Sequence, residues 1–251
     1  MEDSKPVSTP IEPGFIQQKY QGQASKEDIL WYQQAIGSLL YASLLTRPDI
    51  AYATGVLSWY TSNPSLEYIK AVKRVFWYLN GTRDYIISYN ANLANSPYVK
   101  AYADADYAGD KDEYKSTTGF IFNLAGGPVS HLAKLQSITA QSTTKAEYIA
   151  LAMATKEATY LRALLEELDC FNQSNIPIYT DNNGAIQLAK NPSFHARSKH
   201  INVRYHFIRQ KLADKTISIH YIPTEEQPAD GFTKPLAKVK FNNFLHQIGV
   251  H

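Results

Sequence analysis

The order of strand-like and helix-like segments between residues 98 and 222 constrains the fold of this chain more than any other feature. YVKAYADADYAG alternates like a strand, and TTGFIFNLAGGPVSHLA predicts one or two more strands around a turn at Gly126-Gly127. QSITAQS is a further candidate strand. A helix without Gly or Pro is then predicted over about 144–168, followed by a strand (176–180), helices (182–190 and about 200–213), a strand (217–222) and a helical tail. This order predicts an α/β fold in which helices flank a mixed sheet.

The hydrophobic pattern of the sequence changes from helix-like to strand-like near residue 95. Residues 1–27, which we call the lead, are rich in proline, and prolines fix φ and remove backbone donors. We therefore predict that the lead is extended and is either a linker or an arm laid across a neighbour. Residues 28–95 predict a mainly helical segment, since apolar residues recur at helical spacing on both sides of Pro48. Residues 96–251 contain the predicted sheet.

Composition excludes several classes of protein. The chain has 25 Lys and Arg residues and 23 Asp and Glu residues, which excludes a polybasic, histone-like protein. If it binds a polyanion, the binding must come from a local basic patch. Hydrophobic residues at 44% exclude global disorder. The single cysteine, Cys170, excludes a disulfide framework and a Cys-based zinc site. No apolar run reaches the roughly 18–20 residues of a membrane span, and the polar N-terminus lacks the features of a signal peptide. We therefore expect no membrane partner and an intracellular location.

Four acidic residues stand at positions where active sites form in sheet-based folds. Asp104 and Asp181 end predicted strands, Glu147 lies in the first turn of the long helix, and Asp230 follows the last strand and its loop. Taken singly, each has an ordinary explanation as a turn former, a helix cap or a complement to the helix dipole. Taken together, converging carboxylates would repel unless a cation joined them, and hard oxygen ligands suit Mg²⁺ or Mn²⁺. Two such ions can promote phosphodiester cleavage.

Several long motifs carry a family resemblance. They are YADADYAGD, STTGFIF, AQSTTKAEYIAL, IYTDNNGAIQLAKNPSFHARSKHINVRYHFIR and PADGFTKPL, in this order over about 98–250. Together they resemble the ribonuclease H domain of copia-type (Pseudoviridae) LTR retrotransposon polyproteins. The upstream stretch from IGSLLYASLLTRPDI to YLNGTRDY resembles the thumb and connection that link reverse transcriptase to ribonuclease H.

The resemblance implies a ribonuclease H-like, mixed five-stranded sheet flanked by helices and preceded by a mainly helical connection. It also implies a catalytic and metal-binding set of Asp104, Glu147, Asp181 and Asp230, holding two Mg²⁺ ions, with Mn²⁺ as an alternative. Asp106 is the rival to Asp104, because strand alternation puts both on one face. The implied activity is hydrolysis of the RNA strand of RNA–DNA hybrids, which such enzymes read by shape and backbone.

Other residues near these motifs are candidates of a weaker kind. The auxiliary candidates are His200, Asp106 and Glu226. The candidates for contact with nucleic acid are Ser142, Thr143, Asn182, Arg197, Lys199 and Lys234. Capping of the following helices is the competing explanation for Ser142, Thr143 and Asn182.

Two questions stay open at the level of sequence. The alternative to a nuclease is a catalytically silent or domesticated module that is derived from a retrotransposon and binds hybrid or other nucleic acid. The chain is either a piece of a longer polyprotein or a truncated or co-opted product. In both cases the expected partner is a reverse-transcriptase polymerase domain, in cis or in trans, and the expected location is a cytoplasmic virus-like particle, the nucleus or both.

Overall fold

A computed structural model describes residues 4–15, 17–89, 99–171, 173–191 and 199–251, of which 199–205 are described by their backbone alone. Three helices come first: α1 (Lys26–Leu45), α2 (Ala51–Ser58) and α3 (Leu66–Gly81). The strands are β1 (Val99–Asp106), β2 (Thr117–Leu124), β3 (Gly127–Leu135), β4 (Ile176–Thr180) and β5 (Ile217–Tyr221). The remaining helices are α4 (Thr143–Glu167), α5 (Asn183–Lys190), α6 (Lys199–Ala213) and α7 (Lys238–Gln247).

The five strands form one mixed sheet in the order β3-β2-β1-β4-β5. Strand β2 is antiparallel to both β1 and β3, whereas β4 is parallel to both β1 and β5. The predicted fold class, a mixed five-stranded sheet flanked by helices and preceded by a helical segment, is therefore confirmed. The domain boundaries predicted at residues 27 and 95 stay a prediction.

Two details differ from the sequence-based expectation. The turn between β2 and β3 consists of Ala125 and Gly126, both with positive φ (51° and 88°), and Gly127 already pairs with Leu124. This is the geometry of a tight two-residue hairpin. The predicted strand at QSITAQS is wrong. Its Gln136 side chain instead donates to the hydroxyl of Thr118 and to the carbonyl of Ala146, and its Ser142 caps the N-terminus of α4.

Hydrophobic side chains form two main clusters. One lies between α4 and the sheet and includes Ala101, Phe122, Leu151 and Ile178. The other is built mainly from α1, α2 and α3, and it also takes in Ile121 of β2 and, toward the C-terminus, Phe232, Phe241 and Phe244. The helical segment therefore shares a core with the sheet.

The lead lies along α3 as an arm. Arg74 of α3 donates to the carbonyl of Thr9 at 3.2 Å and to the carboxylate of Glu12 at 2.7 Å, and Ile11 is buried. Farther along, the backbone N–H of Lys19 donates to Asp112 at 2.8 Å, so the lead also reaches the loop between β1 and β2.

Candidate metal centre and active site

Three carboxylates meet at one edge of the sheet. One carboxylate oxygen each from Asp104, Glu147 and Asp181 lies within 4.8 Å of the other two. Parallel strands β1 and β4 pair Tyr102 with Tyr179, so the residues two positions farther along emerge side by side. Helix α4 packs on the sheet and brings its N-terminal end to the same edge.

Glu147 is held in place by the start of α4. The hydroxyl of Ser142 accepts from the backbone N–H of Lys145 at 3.3 Å and caps the helix. Glu147 lies just past the first turn of α4, not within it as the sequence predicted. Its side chain is buried, and its Oε2 atom has no hydrogen-bond partner. Burial and the negative charges of Asp104 and Asp181 raise the pKa of Glu147 far above its ordinary value. A buried carboxylate without a counter-charge is unfavourable for the chain alone.

Asp104 is the most buried member of the group and 5% exposed. Its Oδ2 accepts from the hydroxyl of Thr233 at 2.5 Å. Burial, followed by the charge of Asp230, raises the pKa of Asp104. Asp181 is half-buried, and its Oδ2 accepts from the hydroxyl of Thr224 at 2.6 Å.

Asp230 stands next to this group and belongs to a short 3-10 turn, Pro228–Phe232. Its Oδ1 lies 2.9 Å from the Nζ atom of Lys234, one helical turn farther on. Although burial lowers it, contact with Asp230 and the charges of Asp104 and Asp106 raise the pKa of Lys234 above its ordinary value. In this structure Lys234 therefore partly neutralises the predicted fourth carboxylate.

Asp106 lies at the end of β1 on the same face as Asp104, yet it is not a member of the three-carboxylate group. Burial raises its pKa, and the charge of Lys234 opposes that rise. The geometry thus favours Asp104 over its rival as the β1 ligand.

The weaker candidates have mixed positions. Ser142 and Asn182 are helix caps, since the Asn182 Oδ1 accepts from the N–H of Ala185 at 2.9 Å. Thr143 and Glu226 are exposed. The side chains of Lys199 and His200, and the whole of Arg197, lie outside the described residues. The roles predicted for all of these residues stay predictions.

Sequence reasoning missed three polar side chains that contact the site: Thr224, Gln227 and Thr233. All three flank Asp230 in the stretch PTEEQPADGFTK. The available signal was the concentration of hydroxyl and amide residues around an acid in a Pro-containing loop, which is also the ordinary composition of a loop.

Comparison with known proteins places the site in context. No family model matches the chain. The chain is 41% identical over 261 residues to the retrovirus-related Pol polyprotein from transposon TNT 1-94 of Nicotiana tabacum, which covers 100% of the chain and 19% of that protein. It is 40% identical over 250 residues to the Pol polyprotein from transposon RE1 of Arabidopsis thaliana, covering 100% of the chain and 17% of that protein. A solved ribonuclease H1, LC11-RNase H1 in complex with RNA/DNA hybrid, matches 54% of the chain and 93% of its own length at 14% identity, with a TM-score of 0.40.

The fold is a mixed α/β sheet flanked by helices, with a group of three carboxylates at one edge. The chain belongs to the Pol polyproteins of copia-type LTR retrotransposons, as its motifs predicted. It spans less than a fifth of the length of these two relatives. Among the described residues, we find no helix that has both the length and the apolar character to cross a membrane.

Proposed function

We propose that this chain is a ribonuclease H that hydrolyses the RNA strand of RNA–DNA hybrids with the help of two divalent metal ions. One observation carries the proposal: Asp104, Glu147 and Asp181 converge to within 4.8 Å at the end of two parallel strands. Membership in the Pol polyproteins supports it, because reverse transcription produces RNA–DNA hybrids. The retrotransposon context also supports a polymerase domain in cis or in trans as the partner, and a virus-like particle or the nucleus as the location.

The residues present fit a divalent ion. All three donors are carboxylates, which are the hard ligands that Mg²⁺ and Mn²⁺ prefer. The buried Oε2 atom of Glu147 has no hydrogen-bond partner, so the chain leaves one ligand position unused by its own groups. Asp104, Glu147 and Asp181 would hold the ions, and Asp230 would join them once Lys234 moves away from its Oδ1 atom.

Bound ions would activate the attacking water and stabilise the leaving oxygen. The side chains of this protein supply the geometry for that chemistry. Asp104 belongs to the group of three and also interacts electrostatically with Asp230, and the hydroxyls of Thr233 and Thr224 fix one oxygen each of Asp104 and Asp181. Lys234, which is 42% exposed beside Asp230, stands where it can also meet a phosphate of the substrate.

The test is cleavage of end-labelled duplexes in Mg²⁺ or Mn²⁺ by wild type, Asp104→Asn and Asp181→Asn. We expect wild type to cut the RNA of a hybrid, and each variant to lose about a thousandfold or more, which corresponds to several kcal/mol of transition-state stabilisation. Glu67→Gln is the matched control, because Glu67 is an exposed acid on α3 and its variant should keep full activity.

Duplex DNA and duplex RNA of the same sequence serve as substrate controls. Binding of the hybrid without cleavage in either metal would favour the silent binding module over the nuclease. Cleavage of duplex DNA but not of hybrid would contradict the proposed substrate.

A further inference from the structure

The segment that carries Asp230 is tied to β1 on both sides of that residue. On one side lies Gln227, which is 3% exposed. Its Nε2 donates to the carbonyl of Ala103 at 3.1 Å, and its Oε1 accepts from the N–H of Ala229 at 3.3 Å. Ala103 is the residue before Asp104, so this amide joins the Asp230 segment to the backbone of the strand that presents Asp104.

On the other side lies Thr233, which is fully buried. Its hydroxyl lies 2.5 Å from the Asp104 Oδ2 and 3.2 Å from the carbonyl oxygen of Asp230. A hydroxyl has one hydrogen to donate, and the shorter contact to a carboxylate is the stronger of the two. Thr233 therefore fixes the orientation of the Asp104 carboxylate.

A glycine makes this close approach feasible. Gly119 of β2 pairs directly with Asp104 across the sheet. A Cβ atom at this position would lie 2.6 Å from the Thr233 Cγ2, 2.8 Å from the Ala229 carbonyl oxygen and 2.9 Å from the Phe232 Cβ. The segment from Ala229 to Thr233 thus rests on the bare backbone opposite Asp104, and any side chain there would push it away.

We propose that Gln227, Thr233 and Gly119 form a positioning clamp that sets the affinity of the acidic site for divalent ions. Thr233 holds the carboxylate of Asp104 in one orientation, Gln227 anchors the backbone before it, and Gly119 lets both contacts form. The clamp rests on the proposed function, because the metal site it would serve belongs to that proposal. Hydrogen-bond partners of metal ligands typically change affinity by about 10–100-fold when they are removed.

A purely structural role makes a different prediction from a positioning role. If Thr233 only fills space, Thr233→Val keeps nearly the same volume and should bind ions like wild type. If its hydroxyl positions Asp104, Thr233→Val weakens binding, and Thr233→Ser, which keeps the hydroxyl and loses a methyl group, restores it.

The experiment is calorimetric titration of the full chain with Mn²⁺, together with kcat and KM on a hybrid at several Mg²⁺ concentrations. We expect Thr233→Val to weaken Mn²⁺ binding about tenfold or more and to raise the Mg²⁺ needed for half-maximal activity, with KM for hybrid little changed. Thr233→Ser should stay within about threefold of wild type, and Gln227→Leu should weaken binding in the same direction. Thr155→Val is the matched control, since Thr155 is a fully buried threonine of α4 whose hydroxyl donates to the Leu151 carbonyl instead.

The outcomes separate the clamp from the nuclease. Wild-type Mn²⁺ affinity in Thr233→Val, or equal loss in the Ser and Val variants, would overturn the clamp while leaving the nuclease in place. The expected changes in Mn²⁺ affinity without hybrid cleavage by wild type would support the clamp and overturn the nuclease. Absence of Mn²⁺ binding by wild type would overturn both.

Discussion

The protein treats the buried carboxylates of two regions in opposite ways. In the helical segment, Asp49 is 2% exposed, yet Arg47 donates to both of its oxygens at 3.0 and 2.7 Å and the Tyr78 hydroxyl donates to it at 2.6 Å. At the edge of the sheet, Glu147 is 7% exposed, and its Oε2 has no partner. Asp49 has its counter-charge within the chain, whereas Glu147 is left for the metal ions that we propose.

The electrostatic effects follow this difference. Although burial alone would lower it, contact with Asp49 raises the pKa of Arg47 above its ordinary value, so the guanidinium stays charged. Arg47 also donates to the carbonyl and the hydroxyl of Thr82, at 3.0 and 2.7 Å, which completes its set of partners. At the acidic site, burial and mutual repulsion raise the pKa of Asp104 and Glu147 instead. Removing one partner of a buried ion pair is costly, whereas a buried charge that the chain does not compensate marks a candidate binding site.

The largest effect should come from breaking the satisfied pair. We expect Asp49→Ala to lower the free energy of unfolding by about 3–5 kcal/mol, because it leaves the Arg47 charge buried without a carboxylate. Urea unfolding followed by circular dichroism measures this change. Glu67→Ala, at an exposed acid of α3, should stay within about 0.5 kcal/mol of wild type.

Replacing both partners sharpens this test. The double variant Arg47→Met/Asp49→Leu should recover a substantial part of the loss, since it removes both charges and keeps apolar volume. If Asp49→Ala lowers the free energy of unfolding no more than Glu67→Ala does, the Arg47–Asp49 pair is not what distinguishes the two regions.

The two regions also differ in how far the sequence predicts them. The acids of the proposed metal site stand near strand ends and near the start of a long helix, and those approximate positions follow from local patterns. The contacts that orient these acids do not follow from local patterns. Thr233 and Asp104 are 129 positions apart, and the packing of the segment from Ala229 to Thr233 on Gly119 brings them together. In the helical segment, Arg47 and Asp49 flank a proline and resemble an ordinary helix break. Their contacts come from Tyr78 of α3 and from Thr82, the residue that follows this helix. Periodicity predicts the elements, but the partners of a buried charge depend on the tertiary arrangement.

A smaller effect of opposite sign should come from neutralising the unsatisfied carboxylate. We expect Glu147→Gln to raise the stability of the metal-free protein by on the order of 2 kcal/mol, because the folded wild type must either bury the Glu147 charge or bind a proton to neutralise it. In a chain of this size that corresponds to a rise in Tm of about 5 °C. Thermal unfolding in EDTA measures it, and the rise in Tm that Mn²⁺ gives to wild type should disappear in the variant.

Glu167→Gln is the control for this change, because Glu167 is an exposed acid in the last turn of the same helix, α4. A metal-free Glu147→Gln protein that unfolds at lower temperature than wild type would mean that the chain itself compensates the Glu147 charge. The contrast with Asp49 would then fail.

The smallest effect concerns pH. Asp104 and Glu147 have raised pKa values in the folded state, so between the ordinary carboxyl pKa of about 4 and those raised values the folded chain binds protons that the unfolded chain has released. Stability therefore falls as pH rises through this window. Between pH 5 and pH 8, we expect the free energy of unfolding of the metal-free wild type to fall by about 1 kcal/mol more than that of Asp104→Asn, which has one fewer such group.

Bound metal ions should oppose this fall of stability with rising pH, and they should do so through the acidic site at the sheet edge but not through Asp49. Binding requires ionised carboxylates, so the rise in Tm that saturating Mg²⁺ produces should be larger at pH 8 than at pH 5. Asp49→Ala should unfold at a lower temperature than wild type at both pH values. The rise in Tm that Mg²⁺ gives it should depend on pH as in wild type, because Asp49 takes no part in the proposed metal site. Parallel unfolding curves at the two pH values, with and without Mg²⁺, measure all of these differences. An equal Mg²⁺ gain at both pH values would mean that the carboxylates at the sheet edge are already ionised in the metal-free protein, and that the two regions differ in packing but not in charge.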